Sequence, residues 1–195
     1  MKRTAVVLSV LTFAGLATGA SAHRRELLAS FDGAIGVTPV SSFAAPINQD
    51  GTFQNVVRNF VKGVRSSTQL WRIGDLKAEV STEGRIQVRG RGLLLAGGDL
   101  LGTTANLSVV ATLVCEATAP FVELSSADTT DGIVWEGGVP LERNGDFRID
   151  ETLRGRIGAG ASAIPSECAS PTLLIRSSGN GAWLAAGIPR LADVN

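Results

Sequence analysis

The chain has 195 residues, with 18 basic and 18 acidic side chains and one histidine. Balanced charge with no block of one sign gives no sign of an electrostatic footprint for nucleic acid or an anionic membrane, and neither is expected as a partner. A single histidine and two cysteines exclude most metal-centred and triad chemistry at the outset.

Met1-Lys2-Arg3-Thr4 forms a short cationic start, and Ala5 to Thr18 then carries no charge. Ala20-Ser21-Ala22 places small residues where a signal peptidase cuts, so residues 1–22 are expected to be a secretory signal peptide. The apolar run falls short of the roughly 20 residues a spanning helix needs. Neither a lipid-attachment cysteine nor a hydrophobic C-terminal tail is expected to anchor the product. Cleavage would remove Lys2 and Arg3, leaving 16 basic against 18 acidic groups. The mature protein is thus expected to be secreted, extracellular or, in a host with two membranes, periplasmic, with no membrane anchor.

Residues 23–52 read as a leader or loop, with Val37-Thr38-Pro39-Val40 as a possible first strand. Phe53, Val56, Val57, Phe60, Val61 and Val64 recur at intervals near 3.6, which predicts a short amphipathic helix near 53–63. The β-branched valines count against it.

From Leu70 the pattern alternates. Leu76, Ala78 and Val80, then Ile86 and Val88, predict a hairpin turning at Thr82-Glu83-Gly84, with one apolar and one wet face. Leu93-Leu94-Leu95 sits between glycines as a buried strand. Ser108 to Cys115 is the strongest strand, with Val109, Ala111, Leu113 and Cys115 on one face. Phe121–Leu124 and Ile133–Trp135 are further candidates. Asn144-Gly145 predicts a tight hairpin turn with two positive φ angles, pointing Leu141, Phe147 and Ile149 to the core. Thr172–Arg176 and Ala182–Ala186 form a last hairpin. About eight short strands predict an all-β, antiparallel β-sandwich or barrel over residues 53–195, immunoglobulin-like or transthyretin-like by analogy of fold alone.

Cys115 and Cys168 are expected to form a disulfide, because two thiols in an oxidising compartment usually pair. Neither has the CxxC spacing or the nearby histidine of a metal or redox site.

His23 would become the mature N-terminus, and an amine with an imidazole suits Cu(II). The second imidazole of a copper centre is missing, and a frayed terminus positions a general base poorly. A Ser–Lys dyad would have to use Lys62 or Lys77, both expected on solvated faces. Gly160-Ala161-Ser162-Ala163 lacks the last glycine of a nucleophile elbow. Carboxylates are plentiful (Asp75, Glu79, Glu83, Glu116, Glu123, Glu136, Asp146, Asp150, Glu151), but no spacing marks a catalytic pair. Asp128 and Asp131 could offer calcium two carboxylates, though Asp and Gly also make ordinary turns. Asn106-Leu107-Ser108 is a glycosylation sequon, relevant to a eukaryotic secretory route. Trp71, Trp135 and Trp183 could stack on sugars, but tryptophan is more often a packing residue.

Two functions remain. The first is a non-enzymatic binding or structural module with an unknown protein or glycan partner, for which the loop Ala96–Gly102 is a candidate. The second is an extracellular carboxylate-dependent enzyme such as a glycan hydrolase.

Overall fold

The computed structural model describes residues 26–42, 49, 56–129, 135–155 and 164–190. All regular structure in these residues is β, and all pairing between named strands is antiparallel. In chain order the strands are β1 (Leu27–Gly36), β2 (Val40–Ser42), β3 (Val56–Arg58), β4 (Phe60–Val61), β5 (Val64–Arg65), β6 (Trp71–Arg72), β7 (Asp75–Ser81) and β8 (Arg85–Arg91). There follow β9 (Leu94–Leu95), β10 (Ser108–Val114), β11 (Leu124–Ser125), β12 (Val139–Pro140), β13 (Phe147–Thr152), β14 (Arg154–Gly155), β15 (Thr172–Ser177) and β16 (Trp183–Pro189).

One ten-stranded sheet runs β13-β8-β7-β1-β16-β15-β10-β11-β14, with β12 also pairing β10. The turn Glu142–Asp146 carries β12 back to β13 at the other edge. The sheet therefore curls almost into a barrel. The antiparallel all-β class is as expected; two inward faces meet within one coiled sheet rather than across two separate ones.

Bulges and glycines produce the curl. The register of β1 against β16 slips between Phe31 and Ala34, where Gly33 has φ of 86°. Further slips occur at Leu27/Ala29 and Ile175/Arg176.

Period-two burial fills the interior. Leu76, Ala78 and Val80 of β7 and Ile86 and Val88 of β8 are buried, while Lys77, Glu79, Arg85, Gln87 and Arg89 between them are exposed. Strands β10 and β15 are buried on both faces. Their inner face includes Val109, Ala111, Leu113, Leu173 and Ile175. Outside, Val110 packs with Ala127 and Trp135 from the long connection after β10. Among the described residues, Leu76, Ile86, Leu113, Leu173 and Ile175 are fully buried, so side chains pack the interior of the coiled sheet.

Two expectations are corrected. No helix forms in the described part of 53–63 (residues 53–55 lie outside it): β3 and β4 occupy it instead, and β5 follows. Val61 pairs with Val64 across Lys62 and Gly63, whose φ angles of 49° and 80° make a two-residue hairpin turn. Valine and phenylalanine suit such strands, and the turn mimics helical spacing by inserting two residues between apolar pairs.

At Asn144-Gly145 only Gly145 has positive φ, at 83°. Gly145 N donates to Glu142 O, and Glu142 N donates to Asp146 O, so the turn is a three-residue loop closed by a left-handed glycine. Asn144 works through its side chain, accepting from Asp146 N at 3.1 Å.

The stretch read as leader contains β1, which lies mid-sheet between β7 and β16. The segment at Val37 leaves β1 rather than starting the fold. Other elements fall where expected: the β7–β8 hairpin turns at Gly84, and β15 and β16 form the last hairpin.

Candidate functional site

The Cys115–Cys168 disulfide is present, with 4.6 Å between the Cα atoms. It ties the end of β10 to the segment before β15, and Ser170 N reinforces it by donating to Cys115 O at 3.0 Å. Lys62 reaches this corner from the β4–β5 turn. Its Nζ donates to Glu116 O at 2.5 Å and to Ser170 Oγ at 3.3 Å, and lies 5.2 Å from the centre of the Phe121 ring. A lysine and a serine thus meet, which the solvated-face reading of Lys62 did not anticipate. The amine acts as a donor that pins the hairpin to the disulfide loop, with a backbone carbonyl as its shortest partner.

Beside the corner is an open groove of about 440 Å³, between Ser30, Pro189 and Arg190 on one side and Cys168–Pro171 on the other. Arg190 N donates to Ser30 O at 2.8 Å, which ties together two of the segments that line it.

Four of the nine candidate carboxylates have a hydrogen-bond or ion-pair partner. Glu116 accepts from Val122 N, and Asp146 accepts from Gly92 N and from Asn144 Nδ2. Glu123 pairs with Arg176 at 2.5 Å, and the Arg176 guanidinium stacks 4.3 Å from the Trp135 ring centre. Asp150 is held by Arg85 at 2.7 Å and Gln87 at 3.1 Å. Glu79 shares a row with Asp150, two strands away across Gln87. That spacing is about 10 Å, on an exposed sheet face rather than in a cleft.

Of the two calcium candidates, Asp128 accepts from Arg154 at 2.8 Å, and Asp131 lies outside the described residues, as does His23. No group of three or more metal-ligating side chains occurs among the described residues. Trp71, Trp135 and Trp183 are all buried, so none presents a ring face for stacking. Asn106 is exposed, in a turn with φ of 53°.

The loop Ala96–Gly102 is tightly built. Leu95 N donates to Thr103 O, Gly102 N to Leu95 O, Leu101 N to Gly98 O, and Thr103 Oγ1 to Leu100 O. Gly98 and Gly102 take φ of 75° and 78°, which lets the chain reverse twice in five residues. These bonds hold Leu100 and Leu101 in water, 57% and 65% exposed. Sequence located the loop by its glycines; the hydrogen-bonded scaffold beneath it had no local signal.

No protein-family model, curated protein or solved structure matches this chain.

Proposed function

We propose that the protein is an exported, disulfide-stapled β-domain that works as a non-enzymatic binding module, secreted or held in an envelope compartment. The observation that carries this reading is the Leu95–Thr103 loop, whose backbone bonds fix two exposed leucines in place. Apolar side chains held in water cost about 25 cal/mol per Å² of surface relative to burial. A rigid loop that bears this cost loses little further entropy when a partner covers it. The packed interior directs ligand binding to the outer surface, where loops on a rigid scaffold usually carry it.

The export reading is supported by the cationic start, apolar run and Ala20-Ser21-Ala22, and by the disulfide. The test compares the mature parent with Leu100→Ser/Leu101→Ser at matched melting temperature, on a panel of extracellular proteins and a glycan array. Binding to the parent that is lost in the variant supports the reading. Equal binding by both overturns the loop's role. The enzymatic alternative, a carboxylate-dependent glycan hydrolase, requires instead a hydrolytic activity that Glu79→Gln removes.

A further inference from the structure

The wet face of β13, β8 and β7 carries an unusual line of charge. Register places Arg148 opposite Arg89, and Arg89 opposite Lys77, so three cations stand side by side on three adjacent strands. Arg91 lies two residues along β8 on the same face, opposite Asp75. All four cations are exposed. Like charges directly opposite are unfavourable in a sheet.

The same face compensates its charge elsewhere. One row over, Arg85 bonds Asp150 at 2.7 Å and Gln87 bonds the same carboxylate at 3.1 Å. In the cationic row, Lys77 approaches Asp32 at 4.0 Å. Among the described residues, Arg89, Arg91 and Arg148 make no ion pair and no side-chain hydrogen bond. A shallow depression of about 240 Å³ lies between Lys77 and Arg89 of this row and Glu79 and Gln87 of the next.

We propose that this row binds a linear anionic glycan, one bearing a carboxylate or sulfate on successive sugar rings. Strand spacing sets the three backbone positions about 5 Å apart, so the row spans about 10 Å at its base. One small anion is too short to meet all three. A chain with repeated charges, laid across the strands, meets each in turn. Guanidinium groups bond carboxylate and sulfate oxygens in pairs, which suits Arg89 and Arg148. Along β7, β8 and β13 the outward side chains are polar, with no apolar wedge for insertion into lipid. Glu79 at the rim would repel a chain that strayed to the next row, which favours one line of contact. The site rests on the proposed export, but it is separate from the leucine loop.

The test uses the mature protein and three probes: heparin as the sulfated chain, polygalacturonate as the carboxylated chain, and dextran as the neutral control. Inorganic sulfate and anionic phosphatidylglycerol vesicles are run beside them. The expected result is binding to one or both polyanions, weakened at least about tenfold by raising salt from about 0.05 to 0.5 M. Arg89→Gln/Arg148→Gln should weaken it by a similar factor and leave the melting temperature equal or higher, because it removes repulsion. Leu100→Ser/Leu101→Ser should leave it unchanged, so failure of the loop reading and failure of this one are distinguishable. The proposal is overturned if dextran binds as well as the polyanions, if the double glutamine variant binds like the parent, if sulfate alone competes at equal charge concentration, or if the vesicles bind more tightly than either chain.

Discussion

The ring of Phe147 occupies the space in which Gly90 would carry a side chain. The two residues are directly paired between β13 and β8, and a Cβ added to Gly90 would overlap the ring. An aromatic lying over a cross-strand glycine lets the sheet bend while keeping the core filled. This contact lies near the edge at which the sheet approaches closure.

Gly90→Ala should therefore destabilise the domain by about 1–3 kcal/mol, because the added methyl group must displace a buried ring. Urea denaturation measures the loss. Adding Phe147→Leu should recover part of it, since the clash and not the backbone conformation is the cause. Equal loss in the single and double variants would remove the ring from the explanation.

Cutting the staple should be costlier. Cys115→Ala/Cys168→Ala frees a loop of sequence separation 53, and loss of such a native disulfide typically costs about 2–5 kcal/mol. The melting temperature of the parent should fall by a comparable amount under a strong thiol reductant. A variant that melts with the parent would show that the Lys62 and Ser170 contacts hold the corner alone.

Arg176 is buried and pairs with the partly buried Glu123, with side chains 6% and 16% exposed. Arg176 Nε also donates to Gly181 O at 2.7 Å, inside the last hairpin. Glu123→Gln removes one charge-assisted contact of the guanidinium and should cost about 1–3 kcal/mol, the range for a hydrogen bond to a charged group. Arg176→Met, which also removes the bond to Gly181 O and the stack on Trp135, should cost more than Glu123→Gln. The reverse order in chemical denaturation would refute this account.

Lys62→Asn tests the pin between hairpin and disulfide loop. Asparagine tolerates the φ of 49° but cannot reach Glu116 O. The expected loss is about 1.5–3 kcal/mol, the worth of hydrogen bonds to a charged group. Hydrogen exchange should rise in β4 and β5 before it rises in β10. Uniform exchange across both would show that the pin is not local.

Alternation and turn chemistry made the best-formed strands readable. The β7–β8 hairpin announces a buried face at every second residue, whereas β10 and β15 read as largely apolar runs buried on both faces. The segment from Val56 to Arg65 misled, because a two-residue turn at Lys62-Gly63 shifts the alternation and imitates a helical period. Strand β1 went unseen for a different reason: Asp32 and Gly33 sit in its middle, at the bulge where its register slips. The curl of the sheet depends on such slips, which leave little local trace in composition. Of the candidate surfaces, the glycine-framed loop was legible. The cationic row was not, because Lys77, Arg89 and Arg148 are brought together only by cross-strand register.

The most direct test of the central claim is an intact mass of the protein recovered from outside the producing cells, taken without reductant and after alkylation. The account predicts a chain beginning at His23, lighter by two hydrogens than the dithiol form and carrying no alkyl group. A chain retained inside the cell, beginning at Met1 and with both Cys115 and Cys168 alkylated, would contradict it.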